Sequence, residues 1–197
     1  ALERAARRLL DARLPVLICG GGVMASDAGD ALARPALLLD APVCTTVSGK
    51  GSVADGFALP AGVVGSNGGV LATRDVVAAA DLVMFIGCRA GSTTTEHWRF
   101  PAQGVPIIHL DVDPLAIATS YRTDEALVGD AKLALDALVA LIEPSRGETP
   151  PGADPGFLTV LPPGAVGLNA TLMVPVFTGG LLAARLQAAE YSQKAAV

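Results

Sequence analysis

The opening stretch, ALERAARRLLDARLP, sets apolar Leu2, Ala5, Ala6, Leu9 and Leu10 three and four residues apart, with Glu3, Arg7, Arg8 and Asp11 between them. That period predicts an amphipathic helix. It starts at the first residue with no capping side chain, and so reads as a piece of a longer protein. The period then changes. PVLIC (15–19), PVCTT (42–46), LVMFI (82–86) and PIIHL (106–110) are short runs, mostly apolar throughout instead of alternating, which is the pattern of strands buried on both faces. Residues 61–64 predict a further short strand, and Leu127–Val128 an edge strand. Helical patterns fill the gaps. Ser26 is read as the cap of a helix through DAGDALARPALLL, which Pro35 shortens or kinks. LATRDVVAAA predicts a second. Asp130 caps a last one, AKLALDALVALIE, with Leu135, Leu138, Leu141 and Ile142 on one face and Pro144 as its stop.

Strand and helix alternate through residues 15–142, which predicts a parallel sheet covered by helices on both faces. The expected fold is a three-layer, doubly wound, mostly parallel α/β sheet of Rossmann-like (FAD/NAD-binding-like) topology. Ligands of such sheets sit beyond the carboxyl ends of the strands. The glycines fall there: Gly20-Gly21-Gly22, Gly65 to Gly69, and Gly87. The pattern lapses after residue 143. PSRGETPPGADPG (144–156) reads as a linker. Residues 157–197 form an apolar tail, and no charge occurs from Gly156 to Ala184. The length would span a bilayer, but Pro162-Pro163, Pro175 and several glycines interrupt it. The tail is read as packing on another domain or subunit, with Leu181–Lys194 as a terminal helix. No membrane contact is expected.

Composition narrows the function classes. The 197 residues are 51% hydrophobic and 17% charged, against about 25% charged in an average chain, so a disordered polyelectrolyte is excluded. A net charge of -5, 4% aromatics and no basic run exclude a nucleic-acid surface. Cys19, Cys44 and Cys88 are odd in number and far apart, which reads as buried free thiols in a reducing cytoplasm. No Ser/His/Asp or Cys/His constellation and no metal cluster is visible, so no catalytic residue is expected.

The binding candidates lie on the loops. Gly20-x-Gly22-x-x-Ala25 follows a strand and opens a helix, the form of the dinucleotide fingerprint, in which glycine lets a phosphate approach the backbone. The acid that should close the second strand for a ribose is missing; Thr45-Thr46-Val47-Ser48 stands there. A plain NAD dehydrogenase is disfavoured, and a tight ligand-free turn is the competing reading. Asp111 and Asp113 can accept hydrogen bonds from ribose hydroxyls or an adenine amine, although Pro114 also suits Asp113 to a helix cap. Arg89 can clamp a phosphate. His109 is read as structural, and Trp98 as anchoring its loop to the core.

Taken together, RLPVLICGGGV, APVCTTVSGKGSVAD, GVVGSNGG, AADLVMFIGCRAGSTTTEHWRF, VPIIHLDVDP and LVGDAKLALDAL resemble the central domain of thiamine diphosphate-dependent enzymes of the acetolactate synthase type, over residues 1–143. The resemblance implies a three-domain parent. Its thiamine diphosphate, magnesium and catalytic glutamate would belong to a pyrimidine-binding and a diphosphate-binding domain, the expected partners, in a homo-oligomer. The chain alone is expected to be non-catalytic. By resemblance the central domain holds FAD in some members, ADP in others and nothing in many. The positions carried over are Gly21 and Gly22, then Gly65, Ser66, Asn67 and Gly68, then Gly87 and Arg89, and finally Asp111 and Asp113. Asn67 stands where acetolactate synthases usually have a histidine, which weighs against flavin. GSTTTEHWRF departs from their loop too, which suggests another branch. The alternatives are a free-standing FAD-, ADP- or NAD-binding protein on the same fold, and a pure interaction module.

Overall fold

The computed structural model of the chain describes residues 1–54 and 56–146. Of the linker expected over 144–156, residues 144–146 belong to the last helix; its remainder and the tail expected over 157–197 lie outside the described residues. Helix α1 (Leu2–Asp11) buries Ala5, Ala6 and Leu9, with Glu3 in its first turn and Arg8 in its last, each favourable to the helix dipole. Strand β1 (Pro15–Cys19) follows, then α2 (Gly21–Ala25), α3 (Gly29–Leu39) and β2 (Val43–Thr45). Next come β3 (Pro60–Val63), α4 (Leu71–Ala79), β4 (Leu82–Ile86), β5 (Ile107–Asp111), β6 (Glu125–Val128) and α5 (Ala131–Arg146).

The six strands form one sheet in the order β3-β2-β1-β4-β5-β6, with every pairing parallel. That is the doubly wound order, with its switch point between β1 and β4. Strands β1, β4 and β5 are buried at every position, which explains their unbroken apolar runs. Successive side chains serve opposite faces. Leu17, Cys19, Met84, Ile86, Ile108 and Leu110 meet α1, α3 and α5 in one core. Val16, Ile18, Cys44, Val83, Phe85 and Ile107 face α4 in the other.

Helices cover both faces as expected, but unequally: the second face has α4 and the irregular connections carrying Ala90, Phe100, Val105 and Tyr121. Other expectations need correction. Ser26 does not cap α3. Its hydroxyl donates to the Gly22 carbonyl at 2.9 Å and closes α2, while Ala28 begins α3. Pro144 does not stop α5, which runs on to Arg146. Proline loses one helical bond there, but close to the helix end few further turns depend on it. Leu141 is 37% exposed, whereas Leu135, Leu138, Val139 and Ile142 form the buried stripe. Pro35 lies inside α3 without shortening it and is itself buried, so its burial offsets the bond it forfeits. Asp130 does cap α5, accepting the Leu133 N–H at 3.1 Å. No described helix is long and apolar enough to cross a membrane.

Candidate functional site

At the switch point the loops after β1, β2 and β4 are locked backbone to backbone. Gly20 N–H donates to the Ile86 carbonyl at 2.9 Å, and Gly22 N–H to the Gly87 carbonyl at 3.0 Å. A Cβ on Gly22 would lie 2.6 Å from Gly87 Cα, and one on Gly49 2.2 Å from the Cys19 carbonyl oxygen. Gly87 also has a φ of +54°. Glycine at 22 and 87 is therefore required by packing alone, and the Gly22 amide is already occupied. Gly21 and Gly68 differ. Their nearest neighbours to an added Cβ are Ser48 Cβ at 3.4 Å and Val63 Cγ1 at 3.5 Å, ordinary contact distances. Those two glycines leave backbone open without a packing reason. Where a ribose-binding acid would close β2, Thr46 instead accepts the Gly49 N–H at 3.0 Å and caps the 3₁₀ turn Val47–Gly49.

The loop after β3 leans on the β4–β5 connection. Gly65 has a φ of +99°, and a Cβ there would lie 2.4 Å from the Thr93 carbonyl oxygen. Ser66 N–H donates to that same oxygen at 2.9 Å. Ser66, Asn67 and Gly68 are exposed. Beneath them is a cluster that sequence reasoning missed. Glu96 is buried, and Arg74 grips it from α4 with Nε to Oε1 at 2.9 Å and Nη2 to Oε2 at 2.7 Å. Arg99 adds a looser contact at 3.6 Å, and the Arg74 guanidinium lies 5.5 Å from the Phe100 ring centre. Arg74, Glu96, Phe100, Thr94, Gly65 and Gly69 line one cleft. The only signal in the sequence was the Glu96–Arg99 spacing of three. Above the clamp, Glu96, His97 and Trp98 take φ values of 50°, 60° and 60°, a left-handed turn without glycine. Trp98 is 45% exposed, so it does not anchor the loop in the core; Glu96 does.

The turn after β4 carries Arg89 between two left-handed residues, Gly87 and Ala90 (φ 50°). Arg89 is exposed, and among the described residues it joins no ion pair. Cys88 is buried; its Sγ accepts the Ala90 N–H at 3.4 Å, and its carbonyl lies 2.9 Å from His109 Nε2. A carbonyl only accepts, so the His109 proton sits on Nε2. Burial lowers the His109 pKa, which keeps the ring neutral at pH 7. His109 is thus structural, as expected. The three thiols are free and buried. Burial pushes Cys44 up to about 12 and Cys88 to about 11, and raises Cys19 well above the ordinary thiol range. None is a thiolate nucleophile at neutral pH.

Asp111 ends β5, with its Oδ1 accepting the Asp113 N–H at 3.0 Å. Asp113 accepts the Leu115 N–H at 2.9 Å, but residues 114–118 are turns, so it caps no helix. The ten candidates therefore stand at one sheet edge, at or beyond the ends of β1, β3, β4 and β5, with Gly21 and Gly22 opening α2 and Asp111 closing β5. Four strand spacings separate β3 from β5, about 19 Å. A single phosphate cannot touch both ends; a ligand engaging both must be extended. Among the described residues, no group of three His, Cys, Asp or Glu side chains could hold a metal ion.

Known proteins share this pattern. The family model "Thiamine pyrophosphate enzyme, central domain" matches residues 2–138. A "Probable acetolactate synthase large subunit" of Methanocaldococcus jannaschii is 39% identical over 72% of this chain and 24% of its own length. A glyoxylate carboligase of Escherichia coli O157:H7 is 34% identical over 72% of this chain and 24% of its own. Among solved structures, a "putative thiamin diphosphate-dependent enzyme" from Mycobacterium smegmatis aligns with a TM-score of 0.57 and 26% identity, covering 71% of this chain and 27% of that one. The chain spans about a quarter of the length of the curated relatives it matches.

Proposed function

The chain belongs to the family of thiamine pyrophosphate enzyme central domains, and on that premise we propose that its carboxyl edge holds an adenine nucleotide, ADP or the ADP half of FAD, in an enzyme that makes or breaks a carbon–carbon bond beside a carbonyl. The bond-changing chemistry would belong to thiamine diphosphate and magnesium held by pyrimidine-binding and diphosphate-binding domains, in a cytoplasmic homo-oligomer. The observation that carries the nucleotide reading is the chemistry of the edge. Gly21 and Gly68 leave backbone approachable, Arg89 offers an exposed cation for a phosphate, and the exposed Asp113, beside the buried Asp111, offers carboxylate oxygens for ribose hydroxyls. Gly22, Gly65 and Gly87 shape the loops through packing, and Ser66 and Asn67 line the approach. The described residues act as a scaffold and do not themselves turn over substrate.

A thermal-shift titration of the chain with ADP, FAD, CoA, NAD and thiamine diphosphate plus magnesium tests this. A ligand binding only the folded form adds about 2.7 kcal/mol at a hundredfold excess over Kd. A shift with ADP or FAD, and none with thiamine diphosphate, is expected. A shift with thiamine diphosphate alone, or with none of the five, overturns the nucleotide reading. The second outcome would leave an interaction module. One observation favours that alternative: Met24, Val47, Val70, Leu71, Trp98, Val112 and Leu115 are all large, apolar, exposed and placed beyond strand carboxyl ends.

A further inference from the structure

The turn that presents Arg89 is an improbable one. It passes through left-handed backbone twice, at Gly87 and at Ala90, and Ala90 has a Cβ that disfavours the conformation. Something must hold it. One tie is backbone: Gly87 N–H donates to the Leu110 carbonyl at 2.8 Å. A second is the weak Ala90 N–H bond to Cys88 Sγ. The third comes from a neighbouring strand. His109 is 3% exposed, pairs in register with Phe85, and stands with its ring centre 5.8 Å from that of Phe85. From there it sends Nε2–H to the Cys88 carbonyl, the residue directly before Arg89. A bond to a buried carbonyl from a side chain locked in the sheet is a rigid tie, because losing it leaves that carbonyl unpaired. His109 itself is too deep to touch a ligand.

We propose that His109 is a positioning residue: by pinning the Cys88 carbonyl it holds the Gly87–Ala90 turn closed and fixes where Arg89 stands for a bound phosphate. The part concerning phosphate rests on the nucleotide reading above; the part concerning the turn does not. The test uses three forms of the whole chain. His109→Leu removes the donor. His109→Gln keeps one, since its amide nitrogen sits at nearly the reach of Nε2. Two readouts are taken on each: alkylation of Cys88 and Cys44 followed peptide by peptide, and ADP affinity by titration. Cys44 lies inside β2 and reports global opening.

The expected result is Cys88 alkylation about tenfold faster in His109→Leu with Cys44 unchanged, and both rates near wild type in His109→Gln. ADP affinity should fall about tenfold in His109→Leu and recover in His109→Gln. If Cys88 and Cys44 speed up together, His109 only stabilises the core and the proposal fails. Unchanged Cys88 labelling in His109→Leu overturns it too. If wild type binds no ADP while Cys88 labelling still splits from Cys44, the nucleotide reading falls and the pinning of the turn stands.

Discussion

Glycine in this chain has two distinct uses, and only the three-dimensional neighbours separate them. Gly20, Gly22, Gly49 and Gly87 let three loops interlock with no room for a methyl group, while Gly68 leaves room that packing does not need. Gly22→Ala should therefore destabilise by about 1–3 kcal/mol, because Gly87 Cα cannot move aside. Gly68→Ala should stay within about 0.5 kcal/mol of wild type. Urea unfolding midpoints of the two variants check this; equal losses would show that the loops are not interlocked as described. The fingerprint-like spacing Gly20-x-Gly22 could not have told these uses apart. It matches a phosphate-binding turn in form, yet its Gly22 amide already serves Gly87.

Among the elements, the clearest in sequence were those whose packing is symmetrical. β1 and β4 appear where PVLIC and LVMFI predicted them, since burial on both faces demands an unbroken apolar run. Residues 92–100 were opaque because their structure depends on a partner far along the chain: Arg74 lies 22 positions before Glu96. Nothing local in GSTTTEHWRF announces a left-handed turn built without glycine. Ser26 misled for a related reason, since a hydroxyl close to two helices can close the first as readily as open the second. Carboxylates join other elements at their ends. Asp81 accepts the N–H groups of Arg13 and Leu14, each at 2.9 Å, and ties the start of β4 to the start of β1. Glu125 ties β6 to α1: Arg4 Nε lies 3.0 Å from both of its oxygens, and Arg8 Nε 3.5 Å from one. The Arg4 hydrogen bond, opposed by burial and aided by the Arg4 and Arg8 charges, holds the Glu125 pKa below its ordinary value. A depressed carboxylate gives stability that is present above its unfolded pKa, about 4.3, and is lost as pH falls through the folded value. Between about pH 6 and pH 3 the wild type should therefore lose more stability than Glu125→Gln, which has no such carboxylate to protonate. Urea midpoints measured down that range decide it; parallel curves would mean the Arg4 pair contributes nothing.

For the molecule as a whole, the doubly wound parallel sheet with a two-sided core was legible from the alternation of elements, whereas the strand order β3-β2-β1-β4-β5-β6 came only from the structure. What alternation could not convey is how unequal the two faces are. One carries α1, α3 and α5; the other carries α4 and long irregular connections. Those connections carry the buried Glu96, His109's partner Cys88 and the exposed Trp98. The fuller face has a separate consequence. Its first and last described helices, α1 and α5, pack directly against each other, so the two can be joined by a short linker. Ten flexible residues reach ~30 Å, enough to bridge neighbouring helices. A circular permutant that joins residue 146 to residue 1 through such a linker, and opens within the exposed Ser66–Gly69 loop, should fold with the same far-ultraviolet circular dichroism and a cooperative melt. Loss of cooperativity would show that the Ser66–Gly69 loop has to be continuous for the sheet to form.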